Sequence, residues 1–189
     1  MLITISGPSG SGKSSAAAGL AKKLGIRTVD AGAVFRKMAK EHGMSVGDFG
    51  LYAEKHPEID RQFDKRLLAL GSRGRSIILQ GRLTGLLSHR EGMPAIRIWI
   101  TASARTRAKR IAQRENKPFA RVYRETQARD ADNVARYKKT YGLDITDTSV
   151  YDFVVKTDRL TLDEVVGTLY KYVKPLWPRK RSSRRSPRK

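Results

Sequence analysis

Eight residues near the start of the chain, Gly7-Pro8-Ser9-Gly10-Ser11-Gly12-Lys13-Ser14, have the types and spacing of a phosphate cradle, G-x-x-x-x-G-K-[ST]. Glycine lets successive backbone N–H groups turn inward where a side chain would obstruct them. The loop can therefore ring phosphate oxygens at the start of a following helix. The Lys13 ammonium would act as a point charge on β- and γ-phosphates, and the Ser14 hydroxyl would ligate a bridging Mg2+. Such a loop must join a strand to a helix. Leu2-Ile3-Thr4-Ile5 before it reads as a short buried strand, and Ala16, Ala17, Leu20, Ala21 and Leu24 after it recur at helical spacing. A Gly-rich turn without a ligand would leave both the Lys13-Ser14 pair and this setting unexplained, so the motif points to a nucleoside triphosphate such as ATP.

Further candidates stand where other strands end. Arg27-Thr28-Val29-Asp30 reads as a strand running into Ala31-Gly32, then a helix carrying Phe35-Arg36; Ser76-Ile77-Ile78-Leu79-Gln80 is an apolar strand followed by Gly81-Arg82. Asp30 would position the metal through water or simply cap the following turn. Arg36 and Arg82 are either solvated cations or the ligands of a second phosphate, and their strand-edge positions favour the second reading. The strand Ile96–Ile100 leads through Thr101-Ala102-Ser103 to a helix with Ala104, Ala108, Ile111 and Ala112 inward. Its Arg107, Arg110 and Arg114 share one face, expected to be solvated, with Arg110 the member that could approach a bound nucleotide. His42, His56 and His89 lack metal-ligand spacing, and Trp99 is expected in the core.

The remaining elements supply the scaffold. Met44–Glu54 and Pro57–Leu70 read as helices, the second with Ile59, Phe63, Leu67 and Leu70 along one stripe and ended by Gly71-Ser72-Arg73-Gly74. From Pro118 to about Tyr141 the sequence is helical but poor in large aliphatic residues, as a mobile flap would be. Tyr151–Lys156 is a last strand, and a closing helix starts near an N-cap at Thr161. Strands alternating with helices predict an α/β fold, a mainly parallel five-stranded sheet with helices on both faces and ligands outside the carboxyl ends of its strands.

The 189 residues can bury one sizeable core. Without cysteine there are no disulfides or thiolate metal sites, and no apolar run approaches the roughly 20 residues of a membrane span. A soluble cytoplasmic protein is expected, with a monomer favoured. The formal charge is +21, and without residues 174–189, which hold eight Lys/Arg and no acid, it is still +13. Polyanions are the natural partners. Residues 174–189 read as a basic, disordered tail able to contact RNA electrostatically.

Phosphate-loop folds serve several reactions, so the loop alone leaves the class open. No base-reading Asn-Lys-x-Asp is present, and the strand Ile77–Leu79 ends in Gln80 instead of the carboxylate of a simple hydrolytic ATPase. Two anionic substrates explain the second basic set better than one.

Asp30-Ala31-Gly32-Ala33-Val34-Phe35-Arg36 resembles the acceptor-binding segment of cytidylate (CMP) kinases, and Leu79-Gln80-Gly81-Arg82-Leu83-Thr84-Gly85 resembles their Gly-Arg segment. Arg129-Asp130 through Arg136-Tyr137-Lys138-Lys139 and Tyr141–Ile145 is similar to the lid of the short archaeal-type members, and the likeness extends in order over residues 1 to about 173. The resemblance implies a P-loop kinase domain over 1–173, with an acceptor-binding region at about 31–74 and a lid at about 117–142. It implies phosphoryl transfer from ATP to CMP or dCMP with Mg2+. Asp30, Gly32, Phe35, Arg36, Gly81 and Arg82 would bind the acceptor, and Gly7 to Ser14 with Arg110 the donor. Lys13, Arg129 and Arg136 would neutralise the moving phosphoryl group. Ala31, Gln80 and Asn133 depart from residues common among relatives. A kinase for AMP, UMP or shikimate, or an RNA-associated ATPase using the tail, are the alternatives.

Overall fold

The computed structural model describes residues 1–71 and 76–177, leaving the expected helix stop at Ser72-Arg73-Gly74 and the tail from residue 178 outside the described residues. Along the chain run β1 (Leu2–Ser6), α1 (Lys13–Leu24), β2 (Arg27–Asp30), α2 (Ala31–Glu41), α3 (Val46–Lys55), α4 (Pro57–Gly71) and β3 (Ile77–Gln80). They are followed by α5 (Thr84–Arg90), β4 (Ala95–Thr101), α6 (Ala104–Glu115), α7 (Phe119–Tyr141), β5 (Phe153–Lys156) and α8 (Leu162–Leu176). The five strands form one sheet in the order β2-β3-β1-β4-β5, and every neighbouring pair is parallel.

Both faces of this sheet are covered, which explains why its strands read as apolar runs. Side chains alternate. Ile3 and Ile5, with Ile78, Ile98 and Ile100, meet Leu20 of α1 and Leu169 and Val173 of α8 on one face. Leu2, Ile77 and Leu79 meet Leu67 of α4 on the other. The chain leaves β3 on one side of β1 and returns in β4 on the other, so the loop after β1 lies where the winding reverses and the crevice opens.

Local signals position several elements as expected. Thr161 caps α8 with a full capping box, its hydroxyl accepting from Glu164 N–H while the Glu164 carboxylate accepts from Thr161 N–H. Asp30 caps α2, accepting from Gly32 N–H at 2.8 Å. The structure also differs from the sequence reading. Helix α5 was absent from it, because Leu83–Ser88 is a short buried stretch without amphipathic contrast. The last strand starts at Phe153 instead of Tyr151, and α8 continues through Pro175, with Trp177 packed on the main core where the composition alone suggested a tail.

Helix α5 is held to β1 by Ser6, whose hydroxyl accepts from Gly85 N–H at 2.9 Å and lies 3.1 Å from the Thr84 hydroxyl. A Cβ on Gly85 would fall 2.3 Å from the Tyr151 ring, so only glycine lets helix and ring approach this closely. Gly85→Ala should therefore destabilise the protein by about 1–3 kcal/mol through overpacking. A denaturant double-mutant cycle with Tyr151→Leu checks this, since shortening the ring should recover most of the loss; additive effects would contradict the contact.

Candidate active site

Two cavities meet at the loop after β1. The first, about 400 Å3, lies between that loop, α2, α4, the Gly81-Arg82 turn and the C-terminal part of α7. The second, about 420 Å3, lies between the loop, α6 and the segment from Thr157 into α8. Lys13 and Ser14 line both.

The loop has the shape its glycines imply. At Gly7, with φ of 146°, a Cβ would lie 2.0 Å from the Ile100 carbonyl oxygen, so no other residue fits without moving β4. Lys13 donates to the Pro8 carbonyl at 2.8 Å. Burial pushes its ammonium down to about 8, and the nearby Arg82 and Arg107 guanidiniums add to the effect. Ser14 Oγ donates to Gln80 Oε1 at 3.3 Å. A hydroxyl beside an amide oxygen is a hard donor set, and the Asp30 carboxylate lines the same cavity. Among the described residues no group of three or more His, Cys, Asp or Glu could form a protein-only cage. These residues fit Mg2+, which keeps several waters and takes much of its coordination from substrate phosphates.

The structure brings most of the sequence-predicted residues to these cavities. Asp30, Gly32, Phe35, Arg36, Gly81 and Arg82 line the first with Ser9, and Gly10, Ser11, Gly12 and Arg110 line the second. Gly7 and Pro8 shape the loop from behind. Arg36 pairs with Asp30 at 3.2 Å and remains largely exposed. Arg82 donates to Ser9 Oγ at 3.0 Å and to Asn133 Oδ1 at 2.8 Å. Arg110 is clamped by Thr157, donating to its hydroxyl at 2.9 Å and its carbonyl at 2.7 Å. Arg136 reaches the first cavity and pairs with Asp60 at 3.0 Å. Arg129 is exposed on α7 and lines neither cavity.

Arg107 corrects the expectation of a solvated arginine face. It is 5% exposed and donates to the Ser9 carbonyl at 3.2 Å, the Ala102 carbonyl at 3.0 Å and the Asp130 carboxylate of α7. It ties the phosphate loop to the middle of α7. Sequence reasoning also missed Asp60, Asp64, Tyr137 and Tyr141 in the first cavity. Asp60 and Asp64 stand at i and i+4 beside the apolar stripe of α4 that includes Leu67, and that spacing was the available signal.

The model of the cytidylate kinase-like family matches residues 2–159. The chain belongs to that family. It is 43% identical over 178 residues to a cytidylate kinase of Halorubrum lacusprofundi, covering 91% of each chain. It is 41% identical over 176 residues to one of Methanocella arvoryzae, covering 93% of this chain and 98% of the relative. Among solved structures, a shikimate kinase from Acinetobacter baumannii in complex with shikimate superposes with a TM-score of 0.60 at 17% identity, covering 94% of this chain and 95% of the other. That likeness concerns the fold alone. No helix among the described residues is long and apolar enough to cross a membrane.

Asp64 carries a measurable signature. Burial pushes its carboxyl up to about 7, so between the ordinary carboxylate range near 3.8 and pH 7 the folded protein holds a proton that the unfolded chain has released. Its contribution to stability therefore falls as pH rises through that window and stays low above it. Asp64→Asn should be more stable than the parent at pH 8, with the gap closing toward pH 4.5. Urea midpoints at the two pH values check this; a variant less stable at pH 8 would contradict it.

Proposed function

We propose that the chain transfers the γ-phosphoryl group of ATP to CMP or dCMP, giving ADP and the nucleoside diphosphate. The observation that carries this reading is that Lys13 and Ser14 face both cavities, so two ligands would meet end to end at those residues. A simple hydrolase needs room for one nucleotide and water. The family relatives named above support the same reading.

In this assignment the donor phosphates lie on the loop Gly7–Ser14, with Arg110 and Thr157 beside the rest of ATP in the second cavity. The acceptor phosphate lies between Arg36 and Arg82 in the first. It is largely ionised near neutral pH, so no strong general base is required. An acceptor oxygen attacks the γ-phosphorus, the bond to the β–γ bridging oxygen breaks, and ADP leaves with that electron pair. The chain's contribution is alignment and charge neutralisation. Ser14 and Gln80 would hold Mg2+, which supplies charge neutralisation at the phosphate oxygens when bound. Lys13 sits at the junction with its charge available to both nucleotides. Arg136 is already in the acceptor cavity, whereas Arg129 would need α7 to move; we assign both to the closed state, in which expulsion of water protects the phosphoryl group from hydrolysis.

ADP formation measured with CMP, dCMP, UMP, AMP, shikimate and RNA tests the reading. Turnover is expected with the cytidine nucleotides, and stimulation only by RNA or shikimate would overturn it. Arg36→Ala should raise KM for CMP about tenfold or more while leaving ATP affinity nearly unchanged. Lys13→Ala should lower kcat about a hundredfold or more with any acceptor.

Lys13 also predicts a pH dependence. Phosphates favour its charged form, so below about pH 8 binding needs no proton, whereas above it binding must take one up. ADP affinity should then fall as pH rises past 8, by at most about tenfold per unit. Calorimetric titration in buffers of different ionisation enthalpy reads both affinity and proton uptake; constant affinity up to pH 9.5 would contradict the assignment.

A further inference from the structure

The first cavity contains a buried acid that neither the phosphate chemistry nor the fold accounts for. Asp64 is 4% exposed, and both carboxylate oxygens are buried without a hydrogen-bond partner. Its neighbour one turn earlier, Asp60, is equally buried but is satisfied by Arg136 at 3.0 and 3.2 Å. Tyr141 of α7 faces Asp64 and eases its charged form, yet closes no hydrogen bond of ordinary geometry with it. A buried carboxylate left unpaired costs stability, and such groups persist where a ligand completes them. Phe63, Leu67, Tyr137 and Tyr141 line the same cavity and suit a planar ring.

We propose that Asp64 reads the 4-position of the pyrimidine base, accepting from the exocyclic amino group of cytosine, and that it rejects a 4-oxo base only while ionised. The proposal rests on the assignment of the first cavity to a nucleoside monophosphate. The pairing along the cavity supports this orientation: at the loop end Asp30 is paired with Arg36 while Lys13 and Arg82 meet neutral acceptors, and on α4 Asp60 is paired with Arg136, which leaves Asp64 as the acid outside an ion pair. A nucleotide would enter with its phosphate toward the loop-end cations and its base toward Asp64.

The hydrogen-bond inventory gives the selectivity its pH dependence. An ionised carboxylate only accepts, whereas a protonated one accepts and also donates one proton. Cytosine offers N4–H donors beside the acceptor N3, so it pairs with Asp64 in either state, with the acid proton given to N3 when present. Uracil offers the acceptor O4 beside N3–H. It pairs well with the protonated acid, but meets the ionised one with oxygen against oxygen.

Burial places the Asp64 titration near neutrality. The charged groups acting on it are Asp60 on its own helix and Arg90 and Glu91 at the end of α5; Arg90 favours the ionised form, while the two acids oppose it. Tyr141 and Tyr137, with Arg136, line the same cavity from α7. Selection for cytosine should therefore strengthen as pH rises from 6 to 8.5.

The test compares kcat/KM for CMP and UMP in the parent, Asp64→Asn and Tyr141→Phe at pH 6, 7 and 8.5, together with calorimetric Kd values for both nucleotides. In the parent the CMP-to-UMP ratio should rise by about tenfold or more across this range, the value of one charge-assisted hydrogen bond. Asp64→Asn should show a lower ratio that is flat with pH, because an amide can present either its oxygen or its NH2 to the base. Tyr141→Phe keeps the carboxylate and should keep the pH-dependent ratio, which separates base reading from general disruption of the cavity. A parent ratio independent of pH, or one unchanged by Asp64→Asn, would overturn the proposal while CMP turnover left the kinase reading standing. Failure of the folded parent to bind or use any pyrimidine monophosphate would instead remove the kinase reading itself.

Discussion

Positive charge crowded onto one short loop is the constraint on which this structure depends. Lys13, Arg82 and Arg107 are each satisfied by a carbonyl or hydroxyl of Pro8 or Ser9, and Arg110 stands beside the loop, clamped by Thr157. Like charges this close oppose one another, and Arg82 and Arg107 add to the burial that depresses the Lys13 ammonium. Neutral acceptors hold the cations in place without discharging them. The carboxylates joining this end of the molecule are few, with Asp130 on Arg107 and Asp30 on Arg36. Such a site is preorganised for polyanions, because the cost of assembling the cations is met by folding and is relieved when phosphate arrives.

The same arrangement links α7 to the rest of the site. Asp130, Asn133 and Arg136, three residues apart on one side of α7, engage Arg107 of α6, Arg82 after β3 and Asp60 of α4 respectively. Each of these tethers has at least one partly exposed member. Pairs of this kind are individually weak and readily exchanged for stronger phosphate contacts. A ligand that draws Arg82 or Arg136 toward its own oxygens would give up a contact that holds α7. Arg107 differs, because its guanidinium is buried and anchored by two backbone carbonyls as well.

Much of this was legible in the chain. Gly7–Ser14 sits between a strand and a helix as its motif demands, and the apolar runs at β1, β3 and β4 could bury two faces only in a parallel sheet covered on both sides. The stretches Asp30 to Arg36 and Gly81-Arg82 fall on one edge because each follows a strand of that sheet. Other features escaped. Helix α5 has no polar face to reveal its period. Arg107 looked like its neighbours Arg110 and Arg114 because spacing places three side chains on one face without saying how far that face is buried. Asp64 was read past for the opposite reason, since an acid beside an apolar stripe ordinarily marks the solvent boundary.

By itself, the sequence determined the order of the elements apart from α5, the phosphate cradle and the family, since each is written in residues adjacent along the chain and governed by short-range sterics or hydrogen bonding. Only the tertiary structure decided the strand order, the joining of two cavities at Lys13 and Ser14, and the contact of Arg136 with Asp60 across 76 residues. It alone left Asp64 buried without a partner. Periodicity states which side chains share a face. What that face meets is set by how helices and sheet pack, which is a property of the whole chain and of no local stretch within it.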